Sequence, residues 1–159
     1  MNIFVLDYDP RLSAIMLCDK HVNKMLLESA QLICSAINHK AGEQVTPYRT
    51  THSNHPCTIW TRASQENLNW LLSHAKELNL QYKIRYGKLH NHKSWEVIKD
   101  VIKNSREWVS MLPDIGPTPF AQAMPEEFRS PNAVQAYRAY YRTKAFASWC
   151  KGVPAPYWW

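Results

Sequence analysis

Apolar positions along the first forty residues fall into two regimes. Asn2 to Leu6 is a short, nearly continuous apolar run, long enough only for an edge strand or an extended N-terminal arm. Asp9-Pro10 then supplies a helix start, because Asp caps well and proline suits the first helical position. Leu12, Ile15, Met16, Val22, Met25, Leu26, Ile33 and Ile37 follow at helical spacing, which predicts a helix from about Pro10 to Asn38. The polar stretch from His39 to Pro56 carries Gly42, Pro47 and Pro56 and is predicted to be a loop. Leu68, Leu71, Leu72, Ala75 and Leu78 predict a second helix over Ser64–Tyr86, ended by Gly87. Trp95, Ile98, Val101, Ile102, Trp108 and Val109 predict a third, Ser94 to Met111. Prolines 113, 117, 119 and 125 enforce a loop; Ser130-Pro131 then opens a last predicted helix, Pro131 to Cys150. The expected fold is mainly α: a compact bundle of about four helices with long proline-containing loops and an extended N-terminal arm. A chain of 159 residues suits one domain.

Composition narrows the function classes. Four scattered glycines form no phosphate-cradling loop, so P-loop and dinucleotide fingerprints are excluded. No apolar run approaches a membrane span, no secretory signal precedes Asp7 and Asp9, and the four cysteines form no paired motif. Free thiols in a cytoplasmic protein are the simplest expectation. The formal charge is +6, and from Phe128 to Trp159 there are five cations and no acid. Such a local excess favours a polyanionic partner.

Three clusters carry candidate chemistry. On the first helix, at ~100° per residue, His21, Lys24, Glu28 and Gln31 fall within ~80° of one another, roughly opposite the Ile15, Leu26 and Ile33 stripe. Periodicity alone favours an ordinary solvent face here. Asp19, by contrast, points into the apolar stripe and must be paired, as a structural anchor before a site residue. The second cluster runs from Thr50 to Cys57 and contains His52, Asn54 and His55, with Arg62 in the segment beyond. Zinc would need tighter paired spacings, so no metal is expected; contact of Asn54 and His55 with phosphate or base is preferred, a plain turn being the alternative. In the third, Tyr137, Tyr141 and Trp149 have core spacing, leaving Arg138, Arg142 and the terminal tryptophans as contact candidates unless the tail packs back.

The run from Leu17 to Leu32 resembles the first helix of the phage-type pyrimidine-dimer DNA glycosylase/AP lyase family, with Asp19, His21 and Glu28 at the family's spacing. A bacterial branch of that family is similar at Lys24, Glu28 and Gln31, at Asn54-His55-Pro56 followed by Trp60, and in the aromatic tail. The resemblance implies a cofactor-free enzyme that acts on double-stranded DNA as a monomer. An N-terminal amine would attack the sugar C1′ as the base leaves, forming a Schiff base, while Glu28 stabilises the cationic sugar and moves protons. Amines of this type titrate near ~8, so a useful fraction is neutral at physiological pH. With Asn at position 2, the amine is that of Met1. The resemblance makes Glu28, Met1 and His21 catalytic candidates. Lys24, Gln31, Asn54, His55, Arg62, Arg138 and Arg142 are the candidates for holding DNA. Two rival expectations are a base-modifying enzyme on the same scaffold and a non-catalytic nucleic-acid binder.

Overall fold

A computed structural model describes residues 1–159 and is helical, without strands. Seven α-helices form: α1 Pro10–Met16, α2 Asp19–Ala41, α3 Pro56–Ala63, α4 Gln65–Tyr86, α5 Lys93–Asn104, α6 Arg106–Ser110 and α7 Ala133–Tyr141. The class is the expected one, but the count of about four is too low. The α2 helix is central and packs against α3, α4, α5 and α6, while α1 lies along α4. The hydrophobic core runs from Ile3 to Trp158, so both ends of the chain close onto it.

Capping explains the boundaries that periodicity predicts well. Asp9 accepts from the N–H groups of Arg11 and Leu12 at the head of α1. Ser64 accepts from Asn67 N–H at the head of α4. Gly42 and Gly87, at φ 78° and 58°, end α2 and α4 in the left-handed conformation that costs glycine little.

Four expectations are corrected. The Pro10–Asn38 helix is two helices, broken at Leu17–Cys18, where ψ is 142° and 160°. The cause lies far away in sequence. Buried Arg85 donates to the carbonyls of Ile15 and Leu17 at 2.6 and 2.7 Å, taking up the open end of α1. It also meets Asp19 Oδ1 at 3.2 Å, and Asp19 Oδ2 accepts from Cys150 N–H at 2.7 Å. Asp19 is thus a structural anchor. Second, His55-Pro56 opens α3, a cap followed by proline like Asp9-Pro10, with His55 Nδ1 accepting from Cys57 N–H. Third, the Ser94–Met111 segment breaks at Ser105 into α5 and α6. Fourth, α7 is capped by Asn132 rather than Ser130, and it stops at Tyr141. Beyond it the chain is tied to the α1–α2 break: Ser148 O accepts from Asp19 N–H, and Trp149 donates to Met16 O. These long-range bonds outweigh the helical tendency of residues 142–150.

Candidate active site

The N-terminal arm is extended and buried from Ile3 to Leu6 without joining a sheet. The Asn2 side chain sets its path, accepting from Ile3 and Phe4 N–H groups and donating to Ala123 O. Phe4 is held at φ 55°, a conformation costing a bulky residue on the order of 1–2 kcal/mol. Packing holds it there: its ring is 6% exposed as a residue, stacks on His21 at 4.8 Å and meets Tyr141 edge-on at 5.3 Å.

This arm crosses the middle of α2, and the crossing forms a cleft of about 250 Å³. Met1 and Asn2 supply one wall, Lys24 and Glu28 another, and Tyr140, Lys144 and Phe146 close it. Glu28 is the cleft's one carboxylate. Its side chain is 14% exposed, and the nearest cation, Lys24 Nζ, stands 3.8 Å away. Its Oε2 accepts from the Asn2 backbone N–H at 2.7 Å, the short distance of a charge-assisted bond. The Lys24 pair contributes little: the lysine is exposed, and Lys before Glu is the weaker order at this helical spacing.

His21 departs from its expected place. It is not on a solvent face but buried, with Phe4 stacked on one side and Phe146 edge-on at 5.2 Å. Its Nδ1 lies 2.7 Å from the Tyr141 hydroxyl, which already accepts from Cys18 N–H at 3.0 Å. The hydroxyl thus bridges the Cys18 backbone and the imidazole, joining the start of α2 to the end of α7. Burial, then the charges of Lys24, Lys144 and Lys20, push the imidazole down to about 4. At neutral pH His21 is therefore an uncharged ring.

Cation–π contacts position the lysines around it. Lys144 Nζ sits 3.8 Å from the Tyr140 ring centroid and 5.8 Å from that of Phe4; Lys20 lies 5.1 Å from that of Phe146. The mouth therefore gathers positive charge and flat apolar rings around one half-enclosed carboxylate. This combination can neutralise a phosphate, stack a planar ring and stabilise a developing positive charge.

His55, the cap of α3, is not among the residues that line this cleft. Burial lowers its pKa first, followed by the charge of the N-terminal amine and His52, while Glu28 opposes them. Such effects require the amine and Glu28 within electrostatic reach. Asn54 is exposed on the same turn, and Arg62 fastens that turn by donating to Ser53 O at 2.7 Å. The other candidates lie elsewhere. Gln31 lines a separate cleft with Tyr48 and Arg49. Arg138 is committed to Leu6 O, Asp7 and the Tyr157 hydroxyl, and Arg142 to Trp158 O. These two hold the tail, whose Trp158 is packed back at 8% exposure. Tyr137 and Tyr141 are core residues, as their spacing predicts. Cysteine and histidine side chains do not converge with acids into a set of three or more metal donors.

Asn2, Phe4, Tyr140, Lys144 and Phe146 are site residues that sequence reasoning missed. Alternation of cations and aromatics over 137–146 is visible, but only the end of α7 at Tyr141 decides that Lys144 turns toward Phe4. Comparison with protein-family models, curated proteins and solved structures returned no match for this chain.

Proposed function

We propose that the protein is a DNA glycosylase that removes a damaged or modified base, with an AP lyase step available through the N-terminal amine. The observation carrying this reading is Glu28: a carboxylate largely withdrawn from solvent, bonded to the first peptide N–H of the chain, in a cleft that also presents two lysines and the rings of Phe4, Tyr140 and Phe146. Breaking the bond between C1′ and the base leaves the bonding electrons on the base and positive charge on the sugar. A fixed carboxylate stabilises that charge where it develops. The amine of Met1, a lining residue of the same cleft, attacks C1′ and gives an iminium, and Glu28 relays protons in the elimination that follows. Lys24 and Lys144 take the flanking phosphates. Phe4, Tyr140 and Phe146 offer faces to a nucleotide drawn out of the stack.

Glu28→Gln keeps the shape and the capacity to accept from Asn2 N–H but removes the charge. Base release from ultraviolet-damaged or modified duplex is expected to fall at least ~100-fold while duplex affinity is kept. Unchanged release would end the assignment. Borohydride should trap a covalent adduct that peptide mapping places on Met1, and acetylation of the amine should abolish it. Glycosylase activity without an adduct would remove the lyase step only. Salt-sensitive binding with no turnover on either DNA would leave a non-catalytic binder.

A further inference from the structure

The geometry points to a second site: the trough between α4 and α5 docks an acidic amphipathic helix of a partner protein. The helices α4 and α5 are consecutive, and the loop between them is fastened by Asn79, which bonds Asn91 and His92 N–H. Beyond that point they barely touch, because α5 turns to pack on α2. The opening holds about 400 Å³, within the ~300–1,000 Å³ typical of occupied pockets. Trp95, Ile98 and Ile102, at helical spacing i, i+3 and i+7, form its floor with Leu72.

Its rim is strongly one-signed. Lys76, Lys99, Lys103 and Arg106 line it with no carboxylate among the lining residues. Lys99 is engaged by Glu96 at 2.9 Å, whereas Lys76, Lys103 and Arg106 enter no ion pair. A second hollow shares Ser73, Lys76 and Trp95 and continues the trough to Lys83 and to Arg11, which pairs with Asp9, with Glu77 as its one acid. The trough has no residue in common with the Glu28 cleft, so the inference does not depend on the glycosylase proposal.

Charge complementarity and shape select the occupant. A concave aliphatic floor calls for protruding apolar side chains, and unpaired cations on its edges call for flanking carboxylates. An acidic helix with an apolar stripe supplies both. A nucleic-acid backbone would set phosphates over the aliphatic floor and leave it unfilled, and a flat anionic bilayer does not enter a concave trough.

The probe is a synthetic helical peptide of about 14 residues, ~21 Å long, with leucines at i, i+3, i+4 and i+7 and glutamates elsewhere. It is titrated into the isotope-labelled full chain while the Trp95 indole N–H resonance and peptide anisotropy are followed. Saturable binding that moves Trp95 is expected, and a scrambled peptide of equal charge should bind at least ~10-fold more weakly. Lys103→Glu with Arg106→Glu should weaken the acidic peptide at least ~10-fold. Ser73→Trp, at an exposed position, should block the trough without altering the circular dichroism or the unfolding midpoint. No saturable binding up to ~1 mM would overturn the inference. So would equal binding of the scrambled peptide or indifference to both variants. Tighter perturbation of Trp95 by duplex DNA or by phosphatidylserine vesicles would overturn it in favour of that ligand.

Discussion

At the scale of single residues, the chain buries two histidines, and for different ends. His21 is satisfied through Tyr141 and faces the cleft. His74 is fully buried against Trp70, with neither ring nitrogen hydrogen-bonded, and burial alone pushes it down to about 3. Both fold as neutral rings, so their contribution is complete above the unfolded value of ~6.5 and is lost as pH falls below it toward the folded values. Each histidine should withdraw about 2 kcal/mol of stability by pH 5. Urea unfolding from pH 7.5 down to 5 is expected to show that decline. His74→Leu should remove about 2 kcal/mol of that decline and, by removing two unpartnered nitrogens, leave the protein at least as stable at pH 7. A variant with the parental pH slope would mean that His74 is not buried neutral. Glu28 differs from both histidines: its backbone partner holds it at the cleft, so its role depends on where the N-terminal arm runs.

At the scale of elements, the break between α1 and α2 has the widest consequences. One buried guanidinium takes the end of α1 and the first residue of α2, while Asp19 ties the 148–150 segment to the same point. Through Cys18 N–H the break also positions Tyr141, whose hydroxyl in turn hydrogen-bonds His21 Nδ1. Removing the carboxylate strands a buried cation. Asp19→Ala is expected to cost about 3–5 kcal/mol in chemical denaturation, and to free the 142–159 segment for faster amide exchange. A loss under ~1 kcal/mol would show that the two carbonyls and Gln81 Oε1 satisfy Arg85 without the acid. Helical periodicity runs smoothly through this break, since a two-residue interruption keeps Ile15, Met16 and Val22 on buried or half-buried faces. Only Asp19, an acid on an apolar stripe, gave notice of it.

At the scale of the whole molecule, positive charge is spread unequally between uses. Arg85, Arg138 and Arg142 are engaged by backbone carbonyls of the fold itself, whereas Lys24 and Lys144 stand at the cleft and Lys76, Lys103 and Arg106 at the α4–α5 trough. The formal charge of +6 is thus not confined to one surface, and Arg49, Lys88 and Lys151 stand exposed away from both clefts. If DNA occupies the cleft, Lys144→Ala should lower duplex affinity for all sequences alike. It should also reduce the slope of log affinity against log salt by about 1. Lys103→Ala, on the trough, should leave that slope unchanged. Equal effects of both variants would place the duplex across both surfaces. No helix is long and apolar enough to cross a membrane.

Local physics carried much of the fold in the sequence itself. Caps at Asp9 and Ser64, terminators at Gly42 and Gly87, and regular apolar spacing determined the helical class, the loop after α2 and most of α4, because those forces act over a few residues. Glu28, Lys24 and Met1 were legible as candidates from helical register and from the family resemblance. Tertiary structure alone decided that Met1 and Glu28 share a cleft, that His21 is buried in it, and that Lys144 and Phe146 complete it. It also decided that Arg138 and Arg142 brace the tail and that α7 stops at Tyr141. Each of those outcomes rests on partners more than ten positions apart, and side-chain spacing along one helix holds no record of which distant segment will cover it.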